Sequence, residues 1–276
     1  MSAGASRLGA EPGVVARWLI VGVVGLVFAI PIVSMIVFTL KEPTGGYTVD
    51  NWLGLFDPEN ARKYQNLFTG VVNSLVLAVV TVAIMLVFLV PTMILVQLQF
   101  PKLRRVLEFI CIIPITVPAI VLVVGLAPVY SVVAQIFGSA TWTLAFAYGV
   151  LVLPYAYRAI QSNLSAVDVV TLSEAARSLG AGWGTILFRI IVPNLRRGLL
   201  AASFISVAVV LGEYTLASLL NRTNLQTALV QVSKSDPYVA VIFSLLALAF
   251  AFVLLLVIGR LGAPRPRRRR APGGQS

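Results

Sequence analysis

Few residues in this 276-residue chain could do chemistry, and their scarcity narrows what the chain can be. Histidine is absent and Cys111 is the only cysteine. Zinc, haem and imidazole acid–base chemistry are thereby essentially closed, and an internal disulfide is excluded. No G-x-x-x-x-G-K-S/T phosphate loop occurs, so ATP is not bound in that manner. The cluster Gly180, Gly182, Gly184 looks like a dinucleotide loop, but it follows no strand and lies inside a helical pattern. No nucleophile–base or metal constellation is present, which argues against a membrane enzyme.

Two acids remain. Glu213 lies inside an apolar run, Leu199–Leu220, where a charge is costly and a functional role is the default expectation. Helical spacing places Ser206, Val210, Glu213 and Ala217 on one face, a small or polar stripe suited to a cavity. Three roles compete: contact with a cationic substrate, a tie between helices through accepted hydrogen bonds, or proton carriage. Tyr214, Thr215 and Ser218 could line the same region.

Glu174 stands in a different setting, the stretch L-S-E-A-A-R-S-L-G-A-G-W-G-T-I-L-F-R-I-I-V-P from Leu172 to Pro193. Leu172, Ala175, Ala176 and Leu179 recur at helical spacing. Thr171 precedes Glu174 by the interval of a capping box, which predicts a helix start there. Gly180 and Gly182 are expected to supply left-handed backbone for a reversal. A second periodic set follows in Trp183, Ile186, Leu187, Ile190 and Ile191, and Pro193 marks a break or the opening turn of the next helix. The result is helix, turn, helix with small alanines on an exposed apolar face. A docking element and an amphipathic loop resting on lipid headgroups both fit.

The elements that carry these residues are hydrocarbon-soluble. The chain is 59% hydrophobic and 11% charged, where soluble domains carry about 25% charge. Trp18–Leu40 holds 23 residues without a charge, too long for a signal-peptide core, and is expected to stay as a first transmembrane helix after a tail of residues 1–17. Lys41–Thr69 is expected as a polar loop. Further spans are expected at Gly70–Leu98, about Leu107–Val129 (bent by Pro114, Pro118 and Pro128), about Ala140–Tyr157, Leu199–Leu220 and Val239–Gly259. Asn221–Tyr238 is expected as a short polar loop, and 261–276 as a basic tail.

Charge sets the orientation. With the amino terminus inside, 16 of the 21 Lys and Arg fall on the inner side and five (Lys41, Arg62, Lys63, Arg222, Lys234) on the outer. The positive-inside rule then puts both termini and the Glu174 stretch in the cytoplasm. The net charge of +11 is thus a topology signal, and the run Arg267–Arg270 an anchor at anionic headgroups rather than a nucleic-acid site.

The Glu174 stretch resembles the EAA loop of permease subunits in binding-protein-dependent ABC importers: Glu-Ala-Ala, three residues, Gly, nine residues, Ile, one residue, Leu-Pro. Glu174, Ala175, Ala176, Gly180, Ile190 and Pro193 fall in register, with Val192 where the pattern has leucine. The resemblance extends over about 70–260, a permease core with the coupling loop at 164–198. It implies an all-α polytopic protein of the bacterial cell membrane, with six transmembrane helices and the coupling loop between the fourth and fifth. It further implies a second permease (different or identical), two ATP-binding cassette ATPases that use the ATP, and an extracytoplasmic substrate-binding protein. Glu174 and Gly180 would belong to the loop that docks in a groove of the ATPase. The run G-E-Y-T-L-A-S-L-L is similar to permeases of the polyamine, opine and phosphonate group. An acid in the fifth span favours a polyamine such as spermidine or putrescine, with phosphonate, opine, iron, sulfate or molybdate as alternatives. The rival from another class is a secondary transporter or channel working through Glu213, for which no internal repeat is visible.

Overall fold

A computed structural model describes residues 13–42 and 45–262. All but the first two residues of the expected basic tail, the arginine run within it and most of the expected amino-terminal tail lie outside the described residues. The described residues are 85% helical, and extended pairing among them is limited to one isolated bridge between Lys41 and Tyr47. Helix is the only secondary structure besides a closed barrel that satisfies its own backbone in hydrocarbon.

Helix α1 is Val14–Thr39, and α2 is Ala61–Gln99. A break at Phe100–Leu103 leads to α3, Arg104–Thr116, and then α4, Ala119–Phe137. A tight turn at Thr141–Leu144 opens α5, Ala145–Ala166. Helix α6 is Val169–Ser178, and α7 is the irregular segment Trp183–Asn194. Then come α8, Arg196–Gly212, α9, Thr215–Leu219, α10, Leu225–Ser233, and α11, Pro237–Gly262. Among the described residues, five stretches are long and apolar enough to cross a membrane, and a sixth is obtained if α7 and α8, bent by 74°, count as one broken span.

The centre of the bundle is α5, against which α2, α3 and α8 pack. Its Tyr148, Val152, Ala156, Tyr157, Ile160 and Leu164 are almost wholly buried. By contrast α1 lies along α11 and leaves nearly all its side chains exposed. In a membrane protein such a surface belongs to lipid or to other membrane chains.

Several expected boundaries move, each for a local reason. Helix runs back from Gly70 to Ala61, so the last part of the expected loop is helical. The expected third span, 107–129, does not exist as one helix. Val117 and Pro118 are extended (ψ 122 and 138), because a proline keeps the residue before it out of the helical region. Pro114 and Pro128 are tolerated inside α3 and α4, and the membrane-length helix is Ala119–Phe137, partly in a stretch expected to link two spans. The expected fourth span extends to Ala166, well past Tyr157. The expected fifth span, 199–220, is broken after Gly212. The expected loop 221–238 contains α10, whose Leu225, Ala228, Leu229 and Val232 are buried at helical spacing.

Candidate functional site: a docking segment and a polar knot

Helix α6 starts three residues earlier than the Thr171–Glu174 spacing suggests. The cap is Asp168, whose carboxylate accepts from the Thr171 amide at 3.1 Å and the Thr171 hydroxyl at 2.6 Å. These bonds hold the Asp168 carboxyl below its ordinary value. Glu174 is therefore a mid-helix residue, exposed, and among the described residues without an ion pair.

The end of α6 is a left-handed cap. The Gly180 amide donates to the Arg177 carbonyl at 2.9 Å and the Ala181 amide to Ala176 at 3.0 Å, the paired bonds of a Schellman turn. Gly180 sits at φ 80, as its position implied. Gly182 does not share that role: at φ −74 and ψ 164 it is ordinary extended backbone.

The apolar face expected to be exposed on α6 is exposed at Leu172, Ala175 and Leu179, and only Ala176 of that set is buried. Val169, Ser173 and Ala176 face the protein, while Leu172, Glu174, Ala175 and Arg177 are exposed and Leu179 is 87% exposed. On α7, Ile186, Leu187 and Ile191 are buried and Ile190 partly so. The hydrogen-bond ladder widens to a π-helix over Ile186–Ile191, just before Pro193 opens the short helical turn Val192–Asn194. Pro193 has no amide to offer the Arg189 carbonyl, and π-turns recur at functional positions. The segment thus presents Leu172, Ala175, Leu179 and Gly180 outward from a firmly anchored base. A Cβ built at Gly180 would meet nothing within 4 Å, so only the positive φ opposes a substitution there.

The second constellation lies at the break after α8. Glu213 is not on a helical face: it leaves the helix at ψ 126. Its carboxylate accepts from the Tyr148 hydroxyl at 2.8 Å and from the Leu216 amide at 3.0 and 3.1 Å. Asn224, wholly buried, caps α10 by accepting from the Thr227 amide at 2.9 Å. Its Nδ2 donates to the Glu213 carbonyl at 2.8 Å and to the Tyr148 hydroxyl at 3.3 Å. Ser74 on α2 accepts from the Leu225 amide at 2.7 Å, and Gln226 donates to the orphan carbonyl of Leu211 at 2.8 Å. Five helices are tied at this knot.

The expected pathway stripe is accordingly dispersed. Ser206 is wholly buried and donates to the Ala202 carbonyl of its own helix at 2.8 Å. Val210 and Ala217 are also buried but sit on opposite sides of the break. Tyr214 is 42% exposed. Of the three roles open to Glu213, the geometry supports the tie between helices. Sequence reading missed Tyr148 and Asn224. Asn224 had a signal, the Asn-x-x-Thr cap ahead of a periodic apolar run; Tyr148 had none.

Residues 94–267 match the family model described as the binding-protein-dependent transport system inner membrane component. The chain belongs to that family. The matched span covers well over half of the chain and contains the docking segment and all of the knot except Ser74. Among curated proteins, it is 24% identical over 257 residues to the probable ABC transporter permease protein y4fN of Sinorhizobium fredii, covering 87% of this chain and 44% of that protein. It is 28% identical over 115 residues to the phosphate transport system permease protein PstA of Pasteurella multocida, covering 42% of this chain and 40% of that one. The chain thus spans less than half the length of these relatives. Its kinship and its apolar helices make it a multi-pass membrane protein of the ABC importer permease class.

Proposed function

We propose that this chain is the membrane subunit through which an ABC importer moves a small polar solute, and that Leu172–Pro193 is its contact with a cytoplasmic ATPase. ATP hydrolysis belongs to that partner. Both termini and the docking segment face the cytoplasm, a second permease completes the pathway, and an extracytoplasmic binding protein delivers the solute.

One observation carries the reading: an apolar tip, Leu179 beside Gly180, stands fully outward on a buried base, outside the membrane-length helices. With Leu172 and Ala175 it makes an exposed apolar face on one helix, the kind of surface that marks an interaction site. A rigid base matters because a permease can respond to ATP only if the ATPase contacts differ between its two states.

Glu213 no longer speaks for a cationic solute such as a polyamine, since its carboxylate is engaged at the helix break. A relative named for phosphate transport widens the solutes worth screening.

The test is co-purification from detergent of the tagged wild type and a Gly180→Arg variant. The open space around Gly180 lets the variant fold, at the cost of about 1 kcal/mol for a left-handed non-glycine residue. An ATPase bound to the wild type and lost from the folded variant is the expected result. No ATPase with either, after mild crosslinking, sinks the assignment.

A further inference from the structure

At the opposite end of α2 from the docking segment lies a polar pocket of about 420 Å³. Its floor uses Asn73 of α2, and Gln97 near the other end of that helix lies beside Asp168 and Val169 at a second pocket. The 24 residues between them span about 36 Å, so this pocket sits at the far membrane edge. Asn73, Ser139, Thr141, Trp142, Arg222 and Thr223 supply most of its wall, and no acidic residue lines it.

The wall is built around one loop. The Thr223 carbonyl accepts from Asn73 Nδ2 at 2.8 Å and from the Thr141 hydroxyl at 3.1 Å. Asn221, at φ 51, is the only non-glycine residue with positive φ among the described residues. Between these two positions stands Arg222, held in the pocket and partly buried. Its Nε is fully buried and has no hydrogen-bond acceptor. Among the described residues no carboxylate pairs with it, and Glu213, across the adjacent turn, is taken by Tyr148 and the Leu216 amide.

A guanidinium that has lost part of its hydration and found no acceptor is unsatisfied. Its planar fork matches one class of ligand, an oxyanion able to accept two parallel hydrogen bonds. We propose that the Arg222 pocket binds an oxyanion, carboxylate or phosphate in type, with the Ser139 and Thr223 hydroxyls lining the same space. The oxyanion comes either from solution or from a lipid headgroup at the membrane edge.

The test uses the full wild-type chain, so no variant has to fold. Phenylglyoxal modifies accessible guanidinium groups, and peptide mass mapping reads each arginine separately. Arg62, exposed near the start of α2, is the internal reference. In maltoside detergent Arg222 is expected to react. Inorganic phosphate at about ten times its dissociation constant is expected to slow that reaction about tenfold by mass action. Arg62 keeps its rate, and chloride sets equal ionic strength. Protection by phosphate in detergent identifies a dissolved oxyanion as a ligand. Protection without phosphate, in nanodiscs of phosphatidylglycerol but not in detergent, assigns the headgroup. If Arg222 follows Arg62 under all conditions, or never reacts, the site does not exist. None of these outcomes depends on whether an ATPase binds at Gly180, so failure of one assignment leaves the other standing.

Discussion

The two ends of the helical bundle are finished by opposite means. At the break after α8 and the start of α10, polar groups are met by side chains of other helices: Leu211 meets Gln226, Glu213 meets Tyr148 and Asn224, and Leu225 meets Ser74. At the docking end the reversal after α6 is closed by its own backbone, through Gly180 and Ala181, and its apolar tip is left open. A knot that joins five helices fixes their relative positions. A cap that uses only local bonds can keep its shape while a partner carries it. The fold is thus stiff where it must hold an opening in α8 and self-contained where the ATPase contact is proposed.

If that contrast is right, the largest loss of stability comes from the knot. Asn224→Ala removes the cap of α10 and leaves the Glu213 carbonyl without its donor. A lost cap and a buried orphan together cost about 2–4 kcal/mol, a fall in melting temperature on the order of 10 °C. Thermal unfolding in detergent measures it. A shift within error would mean that water replaces Asn224 freely and that the knot ties nothing.

The same glycine substitution at the two ends sharpens the contrast. At Gly70 an added methyl would stand 2.7 Å from the Asn224 carbonyl oxygen and 2.8 Å from Ala228 Cβ, so α2 and α10 must part. Overpacking of this kind costs about 1–3 kcal/mol. At Gly180 the added methyl meets nothing, and only the backbone penalty of about 1 kcal/mol remains. Gly70→Ala is expected to melt well below wild type while retaining any ATPase at low temperature. Gly180→Ala is expected to melt close to wild type. Equal shifts would remove the distinction.

Glu213→Gln separates the tie from the rival secondary-transport reading. Glutamine can still accept from the Leu216 amide, so a structural tie predicts a modest loss of stability, about 1 kcal/mol, with uptake retained. Abolished uptake in a variant of unchanged melting temperature would instead make the carboxylate a proton or ion site.

Much of this architecture can be seen in the residue order, and what cannot is a matter of which contacts the chain makes far away. Apolar length gave away α1 and α11, and most of α2, because hydrocarbon admits few alternatives to helix. The three prolines between 107 and 129 announced distortion, but only Pro118 breaks the helix. Pro114 and Pro128, under the same rule for the preceding residue, stay inside helices. In the docking segment the turn at Gly180 was legible because positive φ is a local demand. The cap was not, since Asp168 and Thr171 compete equally on spacing with Thr171 and Glu174. The exposed apolar face was legible at Leu172, Ala175 and Leu179, but Ala176 packs inward with Val169 and Ser173 beside α7, a contact that no periodicity within α6 can encode. Glu213 was conspicuous by charge, yet its meaning depends on Tyr148, 65 residues away. One polar residue in a span poses the question, and its partner on another helix answers it.

The smallest expected effect lies on the loop side of α11. Asp236 accepts from Lys63 at 2.9 Å, from the Tyr64 hydroxyl at 2.8 Å and from the Val239 amide at 3.2 Å. Burial pushes its carboxyl upward, but the bonds from Lys63, Tyr64 and the Val239 amide outweigh it and hold the group below the ordinary value. A carboxyl lowered on folding stabilises the protein above its unfolded pKa of about 3.9, and that contribution is lost as pH falls through the folded value. Lys63 is 48% exposed, so solvent screening keeps the gain to roughly 0.5–1 kcal/mol. Wild type is therefore expected to melt slightly above Asp236→Asn at about pH 6, with the two curves converging as pH falls through the lowered value of the folded carboxyl. A gap that persists unchanged at low pH would show that the hydrogen bonds of residue 236, rather than its charge, join the start of α2 to α11.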